Sequence, residues 1–151
     1  MSRNEDDVRS NLFTQSSALV RQPPPELPQE VPKDFLKDFN LCQKHLANVF
    51  RCFLLFSEEK RCRIQMTIYR KCKERRDKAI RERLWDWDEG YFRSLNSKSR
   101  QALFGELQNE LEKRQELLQR AKERNNKLGA IHVESRISDL QRRLEHLKQF
   151  L

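Results

Sequence analysis

The sequence is poor in glycine and histidine. Three glycines among 151 residues leave no glycine-rich loop of the kind that holds phosphate groups. The three histidines are scattered, and no acid, base and nucleophile stand in a recognisable catalytic arrangement. A CxxC pair of the kind that thiol oxidoreductases use is also missing. We therefore expect a protein that is not an enzyme and that needs no cofactor.

Long apolar runs are missing as well. Without a run of about 18 apolar residues, no helix is expected to span a membrane. Charged and hydrophobic residues each make up 36% of the chain, so a large globular core is not expected. This balance favours long, solvated helices with narrow apolar stripes. The net charge of +8 predicts attraction to acidic proteins, anionic lipid or nucleic acid, without choosing among them.

Residues 1–31 have the composition of a disordered or extended, proline-rich tail. The first residues include the acids Glu5, Asp6 and Asp7, and they match neither a secretory signal nor an arginine-rich mitochondrial presequence. The prolines that follow, Pro23, Pro24, Pro25 and Pro28, predict a semi-rigid extended segment. This segment is either a plain linker or a tail that wraps along a larger assembly and becomes ordered on contact.

Four cysteines lie at even intervals, with nine residues in each gap. An apolar stripe at helical spacing accompanies the first of them: Phe35, Phe39, Cys42, Leu46, Val49 and Phe53. Polar residues from Ser57 interrupt this pattern, which resumes at about Glu59 and continues past Cys62 and Cys72. Pro32 suits a first helical position and Gly90 suits a helix stop. We predict an antiparallel helical hairpin over residues 32–90.

Four cysteines allow three disulfide pairings, and hairpin geometry selects one of them. Cysteines ten residues apart on one helix have α-carbons about 15 Å apart, beyond the limit of about 7 Å for a disulfide. Joining Cys42 to Cys62 would need parallel helices, which the short turn at Ser57 forbids. We therefore predict the nested pairs Cys42–Cys72 and Cys52–Cys62.

The doubled nine-residue spacing resembles the twin CX9C, or CHCH (coiled-coil-helix-coiled-coil-helix), family of the mitochondrial intermembrane space. The resemblance covers about a third of the chain, from Phe35 to Leu84. It implies import without a cleaved presequence, oxidation by the disulfide relay, and service as a subunit or assembly factor of a respiratory-chain complex. The expected protein is therefore non-catalytic, lies on the intermembrane-space side peripheral to the inner membrane, and binds other subunits of that complex.

The resemblance also implies a docking site for the relay oxidoreductase, at a cysteine flanked by aromatic and aliphatic residues. Cys42 with Phe39 and Leu46 is our first choice. Cys52 with Val49 and Phe56 is the alternative, and either set is also suited to plain hairpin core. The adjacent cysteine pair of copper-carrying relatives is missing, and zinc sites use shorter cysteine spacing, so we predict no metal. Unpaired core cysteines remain the other alternative to disulfides.

An aromatic cluster, which we define as Trp85, Trp87, Tyr91 and Phe92, surrounds Gly90. Residues 91–98 are predicted to connect the hairpin to the C-terminal helices. The aromatic side chains either fill gaps in the core or form a binding hot spot, since Trp and Tyr are enriched at such sites. We keep all four as candidate partner-binding residues.

Residues 99–151 predict a pair of amphipathic helices. The first is capped by Asn96, Ser97 or Ser99 and extends to about Leu128, with Gly129 as the residue that ends it. The second carries a short heptad seam of the coiled-coil type: Val133, Ile137, Leu140, Leu144, Leu147 and Leu151. The two helices either pair with each other or offer this seam to a partner, which makes Ile137, Leu140, Leu144 and Leu147 candidate partner-binding residues.

The second predicted helix of the hairpin has a dense basic face. Its members are Arg61, Arg63, Arg70, Lys71, Lys73, Arg75, Arg76, Lys78, Arg81 and Arg83. Such a face is suited to contact the phosphates of an RNA backbone. The alternative function is therefore that of an RNA-associated protein of the mitochondrial matrix ribosome. Basic residues are common on solvated helices, so we rank RNA second.

Overall fold

The computed structural model describes residues 23–151 of the chain. This part contains four α-helices and no strands. In chain order they are α1 (Gln43–Phe56), α2 (Glu59–Ser94), α3 (Ser97–Glu123) and α4 (Lys127–Lys148). The predicted all-α class, a disulfide-stapled hairpin followed by two further helices, is confirmed. Residues 1–22 of the predicted tail lie outside the described part, and residues 23–28 have no regular secondary structure.

The described chain divides into two compact units. The hairpin unit is Leu27–Leu84, and the C-terminal unit is residues 23–26 with Trp85–Leu151. Residues of α2 contribute to both units, because that helix runs from Glu59 to Ser94. Each unit therefore has its own set of packing contacts.

Helix α1 begins at Gln43, and the prediction of a helix from Pro32 was wrong. Cys42 has a left-handed backbone with φ of 60°, which interrupts any helix that would pass through it. The Asn40 side chain holds this conformation, since its Oδ1 accepts a hydrogen bond of 3.0 Å from the Cys42 amide. Before it, the chain makes separate tight turns, such as the one in which the Phe39 amide donates to the Leu36 carbonyl.

Two arginines of α2 hold the non-helical segment before α1. Arg76 donates to the Leu41 carbonyl at 3.2 Å, and Arg83 donates to the Phe35 carbonyl at 3.0 Å. The Arg83 guanidinium also lies 4.2 Å from the centre of the Phe39 ring, within cation–π range. These contacts satisfy carbonyls that a helix would have satisfied within itself.

The hairpin turns at Ser57, as predicted. Ser57 has a left-handed backbone with φ of 50°, and its amide donates to the Phe53 carbonyl at 2.9 Å. The nested disulfides Cys42–Cys72 and Cys52–Cys62 are confirmed, with α-carbons 6.0 and 5.8 Å apart. They join α1 to the antiparallel first half of α2 at two levels, so the hairpin is held covalently along its length.

The predicted helix stop at Gly90 was wrong, because α2 continues to Ser94. Among the described residues no glycine has a positive φ, so Gly90 takes an ordinary helical conformation. The predicted connector 91–98 is accordingly helical except at its middle. Asn96 caps α3 there, because its Oδ1 accepts a hydrogen bond of 2.8 Å from the Ser99 amide.

The predicted helix end at Gly129 was also wrong. Helix α3 ends at Glu123, and Asn125 supplies the left-handed residue with φ of 52°. Asn126 then caps α4 by accepting a hydrogen bond of 2.9 Å from the Gly129 amide. Gly129 therefore lies in the first turn of the last helix, because asparagine tolerates the left-handed conformation that we assigned to glycine.

Helices α3 and α4 form an antiparallel pair within the C-terminal unit. Near the turn, Lys122 lies 3.4 Å from Glu134, and at the other end Arg100 donates to the Phe150 carbonyl at 2.8 Å. The buried core of this unit is Phe92, Leu107, Leu144 and Leu147, surrounded by Leu103, Phe104, Leu111, Leu140 and Phe150. The end of α2 thus supplies an aromatic residue to the core of the α3–α4 pair.

Candidate interaction surfaces

The hairpin leaves several large apolar side chains on the surface. The most exposed are Leu54 at 85%, Leu55 and Ile64 at 70%, and Phe50 at 61%, followed by Ile68 and Phe56. Phe50 and Leu54 each lie two residues from the buried Cys52, or about 200° around the helix. Helix α1 therefore has two apolar faces, one buried in the hairpin and one directed outwards.

We call the three most exposed apolar residues of α1, Phe50, Leu54 and Leu55, the outer face of α1; Leu55 lies at its edge, about 100° from Leu54. Large apolar residues concentrated on one short exposed element are typical of interaction sites. Phe50 and Leu54 were not predicted as site residues. A signal was available, because they are four residues apart and fall outside the cysteine stripe.

The two candidate docking sets for the relay oxidoreductase differ in geometry. Phe39 lies in the turns before α1, and Cys42 marks the start of the helix, so Phe39, Cys42 and Leu46 do not share one helical face. Val49, Cys52 and Phe56 all lie within α1 at spacings of three and four residues, which places them on one face. The oxidised structure therefore keeps the alternative set together.

The basic face of α2 is only partly available to a partner. Lys73 and Arg76 lie 3.1 and 2.7 Å from the buried carboxylate of Asp77, and Arg83 holds the segment before α1. The exposed members without such contacts are Arg63, Arg70, Lys71, Arg75 and Lys78. Arg61 is also exposed, but it lies 3.2 Å from Glu58 and 5.5 Å from the centre of the Phe56 ring. Part of the basic charge therefore stabilises the hairpin itself.

The aromatic cluster packs within the C-terminal unit. Trp87 and Tyr91 stack with ring centres 5.1 Å apart, and Trp85 lies 4.3 Å from the His146 ring of α4. Phe92 is fully buried, whereas Trp85 keeps 42% of its surface exposed. Trp85 is therefore the member of the cluster that a partner could reach most easily.

An ion pair inside this unit was missed by the sequence analysis. Both oxygens of Asp88 accept hydrogen bonds of 2.7 Å from Arg143 of α4, and the Asp88 side chain is almost completely buried. Bidentate pairs of this kind fix geometry as well as adding stability. Because Asp88 lies among the aromatic residues, its position hinted at a buried acid, but nothing in the sequence indicated its partner.

The heptad seam faces the inside of the same unit. Ile137, Leu144 and Leu147 are buried, and Leu140 packs against the core around Phe92. These four candidate partner-binding residues are therefore occupied by contacts within the chain, because α4 folds back on α3. The first of our two alternatives is therefore correct, because the C-terminal helices α3 and α4 pair with each other.

Residues 23–26, which we call the strap, lie against α3 and α4. A carboxylate oxygen of Glu26 is 2.8 Å from Arg114 of α3 and 3.9 Å from Arg136 of α4. Arg136 also donates to the Pro24 carbonyl at 2.6 Å. Burial acts to lower the pKa of Arg114, but its hydrogen bonds and charge interactions with Glu110 and Glu26 outweigh burial and raise that pKa.

Within residues 23–151, no group of three or more histidine, cysteine or acidic side chains is arranged to hold a metal ion. All four cysteines are paired in disulfides. None of the helices in the described part combines the length and apolar character that crossing a membrane requires.

A family model matches residues 4–151, which is nearly the whole chain. The chain belongs to this family. Its description is domain of unknown function DUF7803, and the match spans both the hairpin unit and the C-terminal unit. No curated protein and no solved structure matches the chain.

Proposed function

We propose that this chain is a non-catalytic structural subunit or assembly factor of a respiratory-chain complex, on the intermembrane-space side of the inner mitochondrial membrane. The observation that carries the proposal is a hairpin stapled by two disulfides with large apolar side chains on its outside. Disulfides form and persist in oxidising compartments. Among these compartments, the likeness of the cysteine spacing to twin CX9C proteins favours the intermembrane space.

The outer face of α1 supports a role in assembly. Helix α1 is only 14 residues long, a length that is marginal for a free helix, and the disulfides give it a fixed partner in α2. The side chains of Phe50, Leu54 and Leu55 are then presented on a rigid element, where little backbone freedom remains to be lost on binding. A protein partner that buries them removes apolar surface from water. This arrangement suits a scaffold and requires no chemistry.

Site-specific photo-crosslinking tests the partner. A photoreactive phenylalanine analogue replaces Leu54 in the full chain, and the matched control places it at Lys44, an exposed polar position of the same helix. We expect Leu54 to crosslink to subunits or assembly intermediates of one respiratory complex, and Lys44 to crosslink much less. Crosslinks only to matrix ribosomal proteins, or equal yields at both positions, would contradict the proposal.

Import through the disulfide relay is tested separately. Depletion of the relay oxidoreductase should lower the amount of this chain in the intermembrane space, measured by protease protection after rupture of the outer membrane. Replacement of Cys52 by Ser is expected to lower import more than replacement of Cys42, since the oxidised structure keeps Val49 and Phe56 on one face with Cys52. Undiminished accumulation without the relay would remove the intermembrane-space assignment.

Association with the mitochondrial ribosome is the second candidate, and the exposed arginines and lysines of α2 are the observation that favours it. Contacts of these residues with phosphates would make RNA affinity fall steeply as salt rises. The decisive measurement is the salt dependence of RNA binding by the oxidised full chain. A steep loss of affinity favours the ribosome, and no binding at low salt excludes it.

A further inference from the structure

We propose that α3 and α4 form a binding site for an acidic, proline-rich peptide of a partner protein, and that the chain's own strap occupies this site in cis. The strap, Pro23 to Glu26, therefore controls access of the partner segment. This inference concerns the C-terminal unit alone and does not depend on the compartment proposed above.

The site is built from two arginines that lie on different helices. Arg114 of α3 and Arg136 of α4 converge on one carboxylate oxygen of Glu26, at 2.8 and 3.9 Å. Their guanidinium groups are largely covered, with 22% of each side chain exposed. Arg114 also donates from Nε to Glu110 at 2.7 Å, so its Nη2 and the Arg136 guanidinium remain for one further carboxylate. Because these cations are partly covered, their attraction to that carboxylate is weakened less than in open water.

The two arginines contact the backbone of the strap as well as the carboxylate of Glu26. Arg136 donates to the Pro24 carbonyl at 2.6 Å, and a proline-rich segment presents free carbonyls because its prolines have no amide hydrogen. Pro23 and Pro25 are buried, whereas Pro24 and Glu26 are exposed. Buried proline rings and exposed positions therefore alternate along the strap.

Such a peptide is suited to exchange. Proline-rich segments are already extended when free, so they lose little conformational entropy on binding. The strap has no regular secondary structure of its own, and it makes polar contacts to Arg114 and Arg136. A tethered ligand competes at an effective concentration of the order of millimolar, so the strap should exclude weak partner peptides from the unmodified chain.

The test uses the full oxidised chain and a labelled peptide with the sequence of Pro23 to Pro28. In one variant the strap is replaced at constant length by Pro23→Ser, Pro24→Gly, Pro25→Ser and Glu26→Gly. We expect the peptide to bind this variant at least about tenfold more tightly than it binds the unmodified chain, measured by fluorescence anisotropy. A peptide with glutamine in place of its glutamate should bind at least about tenfold more weakly.

The arginines provide the matched comparison. Adding Arg114→Gln and Arg136→Gln to the strap variant should abolish peptide binding, whereas adding Arg142→Gln, an exposed arginine of α4, should leave it unchanged. Absence of peptide binding to the strap variant would overturn the proposal. Binding that is insensitive to Arg114 and Arg136 would overturn it as well.

A milder variant covers the case in which the strap variant loses its helical circular dichroism. Glu26→Gln removes the carboxylate contact but keeps all the prolines. We expect it to raise the apparent affinity for the labelled peptide at least about fivefold over the unmodified chain, because the open form becomes more populated. The matched control is Glu30→Gln, an exposed acid further along the chain. Equal affinities of the Glu26→Gln variant and the unmodified chain would sink the proposal.

Discussion

The hairpin unit and the C-terminal unit are both helical, but they are stabilised in different ways. The hairpin contains all four cysteines and directs large apolar side chains outwards. The C-terminal unit has no cysteine and buries an apolar core around Phe92, with an ion pair from Asp88 to Arg143. Covalent staples therefore allow a helix to keep a large apolar surface unburied. A unit without staples needs that surface for its own core.

Loss of Phe92 is expected to have the largest effect, because it is fully buried at the centre of the C-terminal core. Phe92→Ala should lower the free energy of unfolding by about 3–5 kcal/mol. Hydrogen exchange resolved along the chain should show loss of protection concentrated in Trp85–Leu151. The control, Leu117→Ala, changes a half-exposed residue of α3 and should cost far less. Equal loss of protection in both units would contradict the separate stabilisation of the two units.

Removal of either disulfide tests how strongly the covalent bonds stabilise the hairpin unit. The outer bond closes 30 residues and the inner bond closes 10. From loop length, replacing Cys42 and Cys72 by Ser should cost about 3.6 kcal/mol, against about 2.7 kcal/mol for Cys52 and Cys62. Urea denaturation of the two double variants measures this order. The reverse order would show that the stabilisation does not come mainly from the entropy that each bond removes from the unfolded chain.

The Asp88–Arg143 pair is expected to rank next. Asp88→Asn should lower stability by about 1.5–3 kcal/mol, since it removes charged hydrogen bonds to Arg143 in a buried place. Asp86→Asn is the matched control, because Asp86 is an exposed acid two residues away on the same helix. Thermal denaturation of the two variants should separate them clearly. Similar melting temperatures would mean that the ion pair contributes little beyond the apolar core.

The smallest effect concerns the glycines. An alanine Cβ at Gly90 meets nothing within 4 Å, so Gly90→Ala should stabilise the protein by about 0.5–1 kcal/mol through better helix propensity. Gly129→Ala should show no such gain, because the added Cβ collides with the side chain of Asn126 that caps α4. Chemical denaturation of both variants makes the comparison. A destabilised Gly90→Ala variant would point to a bend at Gly90 that only glycine tolerates.

The sequence was sufficient for features that depend on helix geometry alone. Rise per residue is the same in every α-helix, so four evenly spaced cysteines and a turn at Ser57 determined the nested disulfides. The antiparallel turn and the all-α class followed from periodicity. Periodicity also identified the apolar stripe of the seam. It could not say whether Leu144 and Leu147 in that stripe face α3 or another protein.

Features that depend on distant residues were not predictable. The start of α1 depends on the left-handed Cys42 and on Arg76 and Arg83, which come from another helix. Helix ends were assigned to Gly90 and Gly129, but α2 ends at Ser94 and α3 ends at Glu123. Of the asparagines that cap the next helices, Asn96 was among the predicted caps and Asn126 was not. The strap contact joins Pro24 to Arg136, which are 112 residues apart. No local pattern contains that information.

The equal spacing of the cysteines makes the lengths of α1 and α2 depend on each other. Cys52 lies ten positions after Cys42, and Cys72 lies ten positions after Cys62, so both helices advance equally between the two bonds. One residue inserted into either helix would turn a cysteine by about 100° away from its partner. A whole turn inserted into one helix would leave the bonds at unequal heights. Insertions between the two bonds are therefore expected to be tolerated only when both helices gain the same number of residues.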